Sequence, residues 1–290
     1  MHGVLTLAGA GSRMLPWTRG LRKEFLPLFD RGVNGEPIPK PVANMALESL
    51  VSAGVRKLVL VVSANDSALA RKYFSVDRAF LSRHGGHPER LAETSALYRT
   101  LARLDLAFAV QRSPRGFGDA VLKSQPTIGS RPFVLHAGDA VLAEPHRGRL
   151  LRWMIRLRDR EDLDAVLLAR QVDHPTHYGV LEGSLTKSEG GGRRLIVRRI
   201  VEKPRRPRSH WAATALYCFS DRIYSALRER AKVDTKSELE LTSGIQQLLS
   251  TGGSVEALIL RAGEGQWFSV GSPEGYLRAL EGTYRWSVRR

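Results

Sequence analysis

The sequence predicts an α/β protein, with a mixed but mainly parallel sheet flanked by helices, on three observations. Short unbroken apolar runs at residues 4–8 and 57–62 have the length and composition of strands buried on both faces. Helically spaced segments alternate with such runs along the chain, the order that builds parallel sheets. At 290 residues the chain can bury about three quarters of its unfolded surface, with no repeat or long linker to divide it.

The elements follow in order. The run at 4–8 stops at Gly9-Ala10-Gly11, which reads as a strand ending in a tight loop, and the loop is expected to continue to about Pro41. Residues 42–53 have helical spacing and stop at Gly54, and 57–62 form the second strand. Helices near 66–73, 89–103 and 117–124 alternate with strands at 106–110 and 132–136. Further strands are predicted at 163–170, 195–202, 211–219 and 254–260, with helices at 147–160, 221–231, 238–250 and 273–284. The run Ser188-Glu189-Gly190-Gly191-Gly192 reads as a hairpin tip. One domain over 1–290 is expected, the part from about 221 completing it with helices and a short strand pair.

Composition narrows the function. With 42% hydrophobic and 26% charged residues, and with 27 Gly and 14 Pro, the chain is neither disordered nor fibrous. Of 45 basic residues 36 are Arg, and the net charge is +16. Arg presents a planar fork of donors suited to phosphate, so the excess points to nucleotides, nucleic acid or an anionic membrane surface, or reflects a compositional habit of the surface. The single cysteine, Cys218, lies in an apolar stretch and reads as a buried thiol; it excludes an internal disulfide and a Cys-based zinc site. No cationic leader precedes the first apolar run and no run reaches the roughly 18 to 20 residues of a membrane span, so a cytoplasmic protein without membrane partners is expected.

The stretch Ala8-Gly9-Ala10-Gly11-Ser12-Arg13-Met14-Leu15-Pro16, followed by Lys23-Glu24-Phe25-Leu26-Pro27, is the richest in chemistry. Glycines after a first strand let the backbone approach an anion closely, and Arg13 and Lys23 add two cations able to grip a triphosphate. A dinucleotide fingerprint needs glycine where Met14 stands, and a phosphate loop of the Gly-Lys-Ser/Thr type is absent, so neither applies. A glycine turn of this kind is otherwise a plain connection. Its place at the carboxyl end of strand one favours a ligand crevice.

With Trp17-Thr18 and Leu28 added, that stretch resembles the signature of sugar-1-phosphate nucleotidyltransferases, the prokaryotic uridylyltransferase branch most closely. Further matches follow in register over nearly the whole chain: Gln111 with Pro114-Arg115-Gly116-Phe117-Gly118-Asp119, then Gly138-Asp139, Tyr178-Gly179-Val180, Val201-Glu202-Lys203-Pro204 and Glu238-Leu239-Glu240-Leu241-Thr242. The resemblance implies a Rossmann-like nucleotide-diphospho-sugar transferase fold, Mg²⁺ as cofactor, UTP and a sugar 1-phosphate as substrates, and a homo-oligomer, dimer or tetramer. It assigns the nucleotide to Ala8, Gly9, Gly11, Ser12, Gln111, Gly116 and Gly118, with Gln111 reading the uracil edge. Arg13 would hold the departing phosphates and Lys23 the α-phosphate. Tyr178, Gly179, Glu202 and Lys203 would take the sugar phosphate, and Asp139 the metal.

One position departs from the resemblance. A second metal-binding Asp is expected near the C-terminus, and Ser269 stands there, a neutral and poorer Mg²⁺ ligand. A catalytically weak sugar-nucleotide binder therefore stands beside the uridylyltransferase reading, as does a thymidylyl or other specificity. A nucleic-acid binder is the least supported, since no helix-turn-helix, zinc or aromatic-basic motif accompanies the charge. Smaller departures are Arg22 in place of proline, Ala215 in place of glycine, and Ser243. The pairs His174/His177 and His84/His87 lack a third ligand at recognisable spacing.

Overall fold

Strand β1 (His2–Leu7) leads into three single turns of 3₁₀ helix and then a two-stranded hairpin, β2 (Pro27–Arg31) and β3 (Pro37–Pro41), in the computed structural model. The structure describes residues 1–85, 88–187, 193–233 and 237–289. After the hairpin come α1 (Val42–Ser52), β4 (Lys57–Ser63), α2 (Ser67–Tyr73), α3 (Arg78–Arg83), α4 (Pro88–Leu101), β5 (Asp105–Gln111), α5 (Phe117–Lys123) and α6 (Gln125–Ile128). Next are β6 (Phe133–Ala137), β7 (Ala140–Ala143), α7 (Arg149–Glu161), β8 (Ala165–Gln171), β9 (Gly179–Lys187), β10 (Arg193–Glu202) and β11 (Trp211–Phe219). The chain closes with α8 (Arg222–Val233), α9 (Leu241–Ser250), β12 (Val255–Ile259), β13 (Gln266–Ser269) and α10 (Pro273–Ser287).

Among the described residues nine strands form one sheet in the order β5-β4-β1-β6-β11-β8-β12-β10-β9. The β5-β4-β1-β6 part and the β8-β12 pair are parallel, and β11 and β10 join antiparallel to their neighbours. On one face Val59, Leu135, Leu167 and Tyr217 pack with Ile223, Leu227 and Ile245 of α8 and α9. On the other, Leu58, Leu60, Val134 and Leu168 pack with Leu47 and Leu50 of α1 and Met154 and Leu157 of α7. Cys218 is buried there, and burial pushes its thiol pKa up. The central strands thus need apolar side chains on both faces, which is why they read as unbroken runs.

Two expectations are corrected. The loop predicted to Pro41 contains the β2–β3 hairpin, which stands outside the main sheet; proline is tolerated at such edges because few of its neighbours need its missing N–H. The C-terminal strands do not pair with each other: β12 enters the main sheet, and β13 pairs with β7, directly after Asp139. Four residues in each of β7 and β13 are too few to show a period. The predicted hairpin tip at 188–192 lies outside the described residues.

One glycine positions the site. A Cβ on Gly138 would sit 2.4 Å from Leu7 Cδ2 and 2.7 Å from the Thr6 carbonyl oxygen, so only glycine lets the turn after β6 lie against the end of β1. The Gly138 N–H donates to that carbonyl at 2.9 Å.

Candidate functional site

At the carboxyl ends of β1 and β6 the Lys23 ammonium lies 2.5 Å from Asp139 Oδ2. The 3₁₀ turn Lys23–Phe25 buries Lys23 and Glu24, so both side chains approach from beneath the glycine turn. A Cβ on Gly9 would meet Lys23 Nζ at 3.4 Å and Glu24 Oε1 at 3.5 Å. A Cβ on Gly271 would lie 3.3 Å from Arg13 Nη2, 3.4 Å from Ser269 Oγ and 3.7 Å from Asp139 Oδ2. Arg13, Lys23, Asp139 and Ser269 therefore border one hollow beside the Gly9–Ser12 backbone. The antiparallel partner of β7, β13, brings Ser269 opposite Ala140, and the Val270 N–H donates to the Asp139 carbonyl at 2.9 Å.

The charges of this hollow are set by burial and pairing together. Burial is the largest influence and alone would lower the Lys23 pKa, but Asp139 and Glu24 together outweigh it and raise it, keeping the amine protonated. Burial is the largest influence and alone would raise the Asp139 carboxyl, but Lys23, a backbone hydrogen bond and Arg13 together hold it low. Glu24, 2% exposed, is pushed up to about 7 by burial, against the pull of Lys23, and its Oε2 has no hydrogen-bond partner among the described residues.

The glycine turn is pinned from outside. Arg22 donates to the Gly9 carbonyl and to Ser63 Oγ, both at 2.7 Å, and pairs with Asp66, tying the exit of β1 to the end of β4. Gly11 adopts φ +68° and a Cβ there would strike Thr18 at 2.7 Å; Thr18 Oγ1 donates to the Gly11 carbonyl. Ala8 is buried, while Gly9, Ser12 and Arg13 are exposed to the hollow's mouth.

The loop before α5 forms a second wall. Gln111, buried at the end of β5, donates from Nε2 to the Gly116 carbonyl at 3.1 Å and to Asp119 Oδ2 at 2.8 Å, and its side-chain oxygen takes no part in either bond. Gly116, at φ +99°, and Gly118 sit under Leu239: a Cβ would lie 2.5 Å and 2.8 Å respectively from its carbonyl oxygen. The Gly118 N–H donates to that oxygen at 2.7 Å.

The third wall comes from β9, β10 and the start of α9. A Cβ on Gly179 would sit 2.7 Å from Thr242 Cγ2 and 3.3 Å from Glu202 Oε2. Lys203 has φ +42°, held by a bond from its N–H to the Tyr178 carbonyl, and its ammonium lies 3.2 Å from Glu202 Oε1. A cleft of about 450 Å³ runs past Glu202, Glu240 and Thr242. Burial, reinforced by the Glu202 charge, raises the Glu240 carboxyl, and Thr242 Oγ1 is buried without a hydrogen-bond partner among the described residues.

Comparison with known proteins shows the family and the fold. The nucleotidyl transferase family profile matches residues 2–285. The chain belongs to the nucleotidyl transferase family. A UTP–glucose-1-phosphate uridylyltransferase of Klebsiella pneumoniae is 27% identical over 97% of this chain and 91% of its own. A glucose-1-phosphate thymidylyltransferase of Neisseria meningitidis is 26% identical over 94% of this chain and 79% of its own. A UDP-glucose pyrophosphorylase solved with UDP-glucose superposes with a TM-score of 0.81 at 22% identity, covering 98% of both chains, which establishes the shared fold. The chain is thus a relative of the sugar-1-phosphate nucleotidyltransferases.

In this nucleotidyl transferase the residues singled out from sequence fall into three local groups: Arg13, Lys23 and Asp139, then Gln111, Gly116 and Gly118 against Asp119 and Leu239, and Tyr178, Gly179, Glu202 and Lys203 beside Thr242. Among the described residues no cluster of three or more His, Cys, Asp or Glu side chains has metal-site geometry. Mg²⁺ needs only one or two carboxylates when substrate phosphates supply the rest, so Asp139 with the Ser269 hydroxyl beside it fits an open site of that kind. Glu24, Asp119, Glu240 and Thr242 lie beside these groups and were missed by the reading of single positions. All four lie inside the quoted motifs, but nothing in their spacing shows that they are buried. No helix among the described residues is long and apolar enough to cross a membrane.

Proposed function

We propose that the protein transfers a uridylyl group from UTP to glucose 1-phosphate, giving UDP-glucose and pyrophosphate. The observation that carries the reading is the convergence of Arg13, Lys23 and Asp139 on one hollow beside the Gly9–Ser12 backbone. Phosphoryl and nucleotidyl transfers need little covalent help from protein; they need alignment and neutralisation of charge. The sugar-phosphate oxygen forms the new bond to the α-phosphorus while the bond to the bridging oxygen breaks and pyrophosphate leaves. Lys23, kept protonated by Asp139, stabilises charge at the α-phosphate, and Arg13 at the mouth holds the departing phosphates. Gln111 offers its carbonyl oxygen to the N3–H of the base, its amide nitrogen being committed to Gly116 and Asp119. Glu202 accepts from sugar hydroxyls and Lys203 meets the sugar phosphate. Asp139 and Ser269 would hold Mg²⁺, which would add positive charge along the phosphates. The same proposal takes the enzyme to act in the cytoplasm as a homo-oligomer.

A second reading, a weakly catalytic sugar-nucleotide binder, is favoured by Ser269 lying beside Asp139 where a second carboxylate would strengthen the metal site. One assay separates the two. Purified protein, Mg²⁺, each nucleoside triphosphate including dTTP, and a panel of sugar 1-phosphates are followed for pyrophosphate. Turnover greatest with UTP supports the first reading and turnover greatest with dTTP moves the specificity; saturable UTP binding without turnover supports the second.

A further inference from the structure

Gln111 ends β5 on the same face of the sheet as the glycine turn. Leu7 is registered with Val62 and Val62 with Val110, so Gln111 and Ala8 each stand one residue beyond that line, two strands apart. Ala8 and Ala109 pack with Ala120 and Val121 of α5, and strand alternation puts Gln111 on the side of Ala109. At about 4.8 Å per strand the gap is roughly 10 Å, which a nucleoside bridges when its phosphates lie at the turn.

A side-chain amide presents either its oxygen or its nitrogen to a ligand, and the neighbours of Gln111 decide which. Both groups that meet its inner end are acceptors, the Gly116 carbonyl at 3.1 Å and Asp119 Oδ2 at 2.8 Å. Neither a carbonyl nor a carboxylate has a hydrogen to give, so a reversed amide would set oxygen against oxygen twice. The two N–H bonds of Nε2 are thereby used, and the side-chain oxygen accepts no hydrogen bond from the described residues. Asp119 is fixed in its turn. It is 9% exposed, and its other oxygen, Oδ1, lies 3.2 Å from Lys123 Nζ one helical turn on.

We propose that Asp119 is a positioning residue for selection of the base. By holding Gln111 with its oxygen outward it selects a pyrimidine that carries N3–H, uracil or thymine, and rejects cytosine. Cytosine would bring its N3 lone pair against the Gln111 oxygen, two acceptors with no hydrogen between them at a buried side chain. The proposal rests on the reading of Gln111 as the residue that meets the base, and it assigns the selectivity to Asp119 acting through Gln111.

The test measures equilibrium binding of UTP, dTTP, CTP and UTP methylated at N3, and pyrophosphate release with glucose 1-phosphate and Mg²⁺. It uses the parent protein, Asp119→Asn and Asp119→Ala. We expect the parent to bind UTP and dTTP about 10-fold or more tighter than CTP and the methylated nucleotide, the span of one buried acceptor left unpaired. In Asp119→Asn the new amide keeps its oxygen on Lys123 and turns its nitrogen to Gln111. Either orientation of Gln111 then has one satisfied and one opposed neighbour, so the preference for UTP over CTP should be lost, chiefly through the nucleotide KM. Asp119→Ala leaves Gly116 alone to orient the amide and should keep part of the preference; it decides the matter if Asp119→Asn fails to fold. A parent that binds UTP and CTP alike, or variants that weaken both nucleotides equally and leave their ratio intact, overturn the proposal while leaving nucleotidyl transfer standing. If no nucleotide releases pyrophosphate, the reading of function fails and the binding ratios still decide the role of Asp119; if no triphosphate binds, both fall.

Discussion

The phosphate end and the sugar end of the site are built from opposite halves of the sheet and carry opposite charge. The proposed phosphate end rises from parallel strands whose exits are fixed by half-buried ion pairs, Arg22 with Asp66 and Lys23 with Asp139. The proposed sugar end lies on the antiparallel strands β9 and β10 and the start of α9 and gathers the carboxylates Glu202 and Glu240, with Lys203 paired to Glu202. In the proposed function, the cations that would face a polyanion are held by partners before the ligand arrives, and the half-buried carboxylates Glu202 and Glu240 would read hydroxyls. The two ends should therefore respond differently to substitution.

The largest effect is expected at Lys23. Replacing it by methionine removes the cation at the α-phosphate and leaves the Asp139 charge unbalanced, so kcat should fall by about 10³-fold with far less change in sugar KM, measured as pyrophosphate release. Next comes Ser269→Asp, which supplies a second carboxylate beside Asp139. Metal affinity should rise by about 10-fold or more, read by titrating Mg²⁺ against activity and against the protein's thermal midpoint. Gly179→Ala sharpens the contrast from the other side: a Cβ pressed on Thr242 and Glu202 should raise the sugar KM by about 10-fold and spare UTP binding. Equal loss of UTP affinity in that variant would show the two ends to be one unit.

How much of this was legible in sequence differs between the same two regions. Strands β1, β4 and β6 are buried on both faces, so their apolar runs announce them, and the glycines that end β1 mark the phosphate hollow directly. The β2–β3 hairpin escapes because Pro27, Pro37, Pro39 and Pro41 read as loop, while its stability comes from pairings far away in sequence. Lys40 lies 3.1 Å from Asp30, 3.3 Å from Glu48 and 3.2 Å from Glu93, a buried charge cluster no local pattern reveals. Burial alone would raise the Asp30 carboxyl; Arg147 and Lys40 outweigh it and hold it low. At the site, Ser269 was legible as a departure, and the fold puts it against Asp139. Arg22 was legible only as an oddity, and its clamp on Gly9 and Ser63 depends on a strand forty residues on.

Arg22→Ala tests that clamp. Releasing the Gly9 carbonyl should raise the KM for UTP by several-fold while sugar KM moves little, since no other bond in the clamp reaches the sugar end. The smallest change in activity is expected for Glu24→Gln, whose readout is stability against pH. Burial holds the Glu24 pKa near 7 in the folded state against 4.5 for an ordinary carboxyl, so its contribution is present below about pH 4.5 and is lost as pH rises through 7. Glutamine resembles the protonated form, and the variant should gain up to about 3 kcal/mol over the parent at pH 8, a gap that closes towards pH 4.5 in denaturant titrations. His136 pulls the other way: burial lowers it to about 4, so stability is lost as pH falls from about 6.5 towards 4, but equally in both proteins.

The most direct test is a crystal structure of the protein grown with UTP and Mg²⁺. We expect the triphosphate to lie in the hollow bounded by the Gly9–Ser12 backbone, with Arg13 on the β,γ-phosphates, Lys23 on the α-phosphate and the metal on Asp139. A nucleotide bound elsewhere, with Lys23 still closed on Asp139 and the glycine turn untouched, would contradict the account.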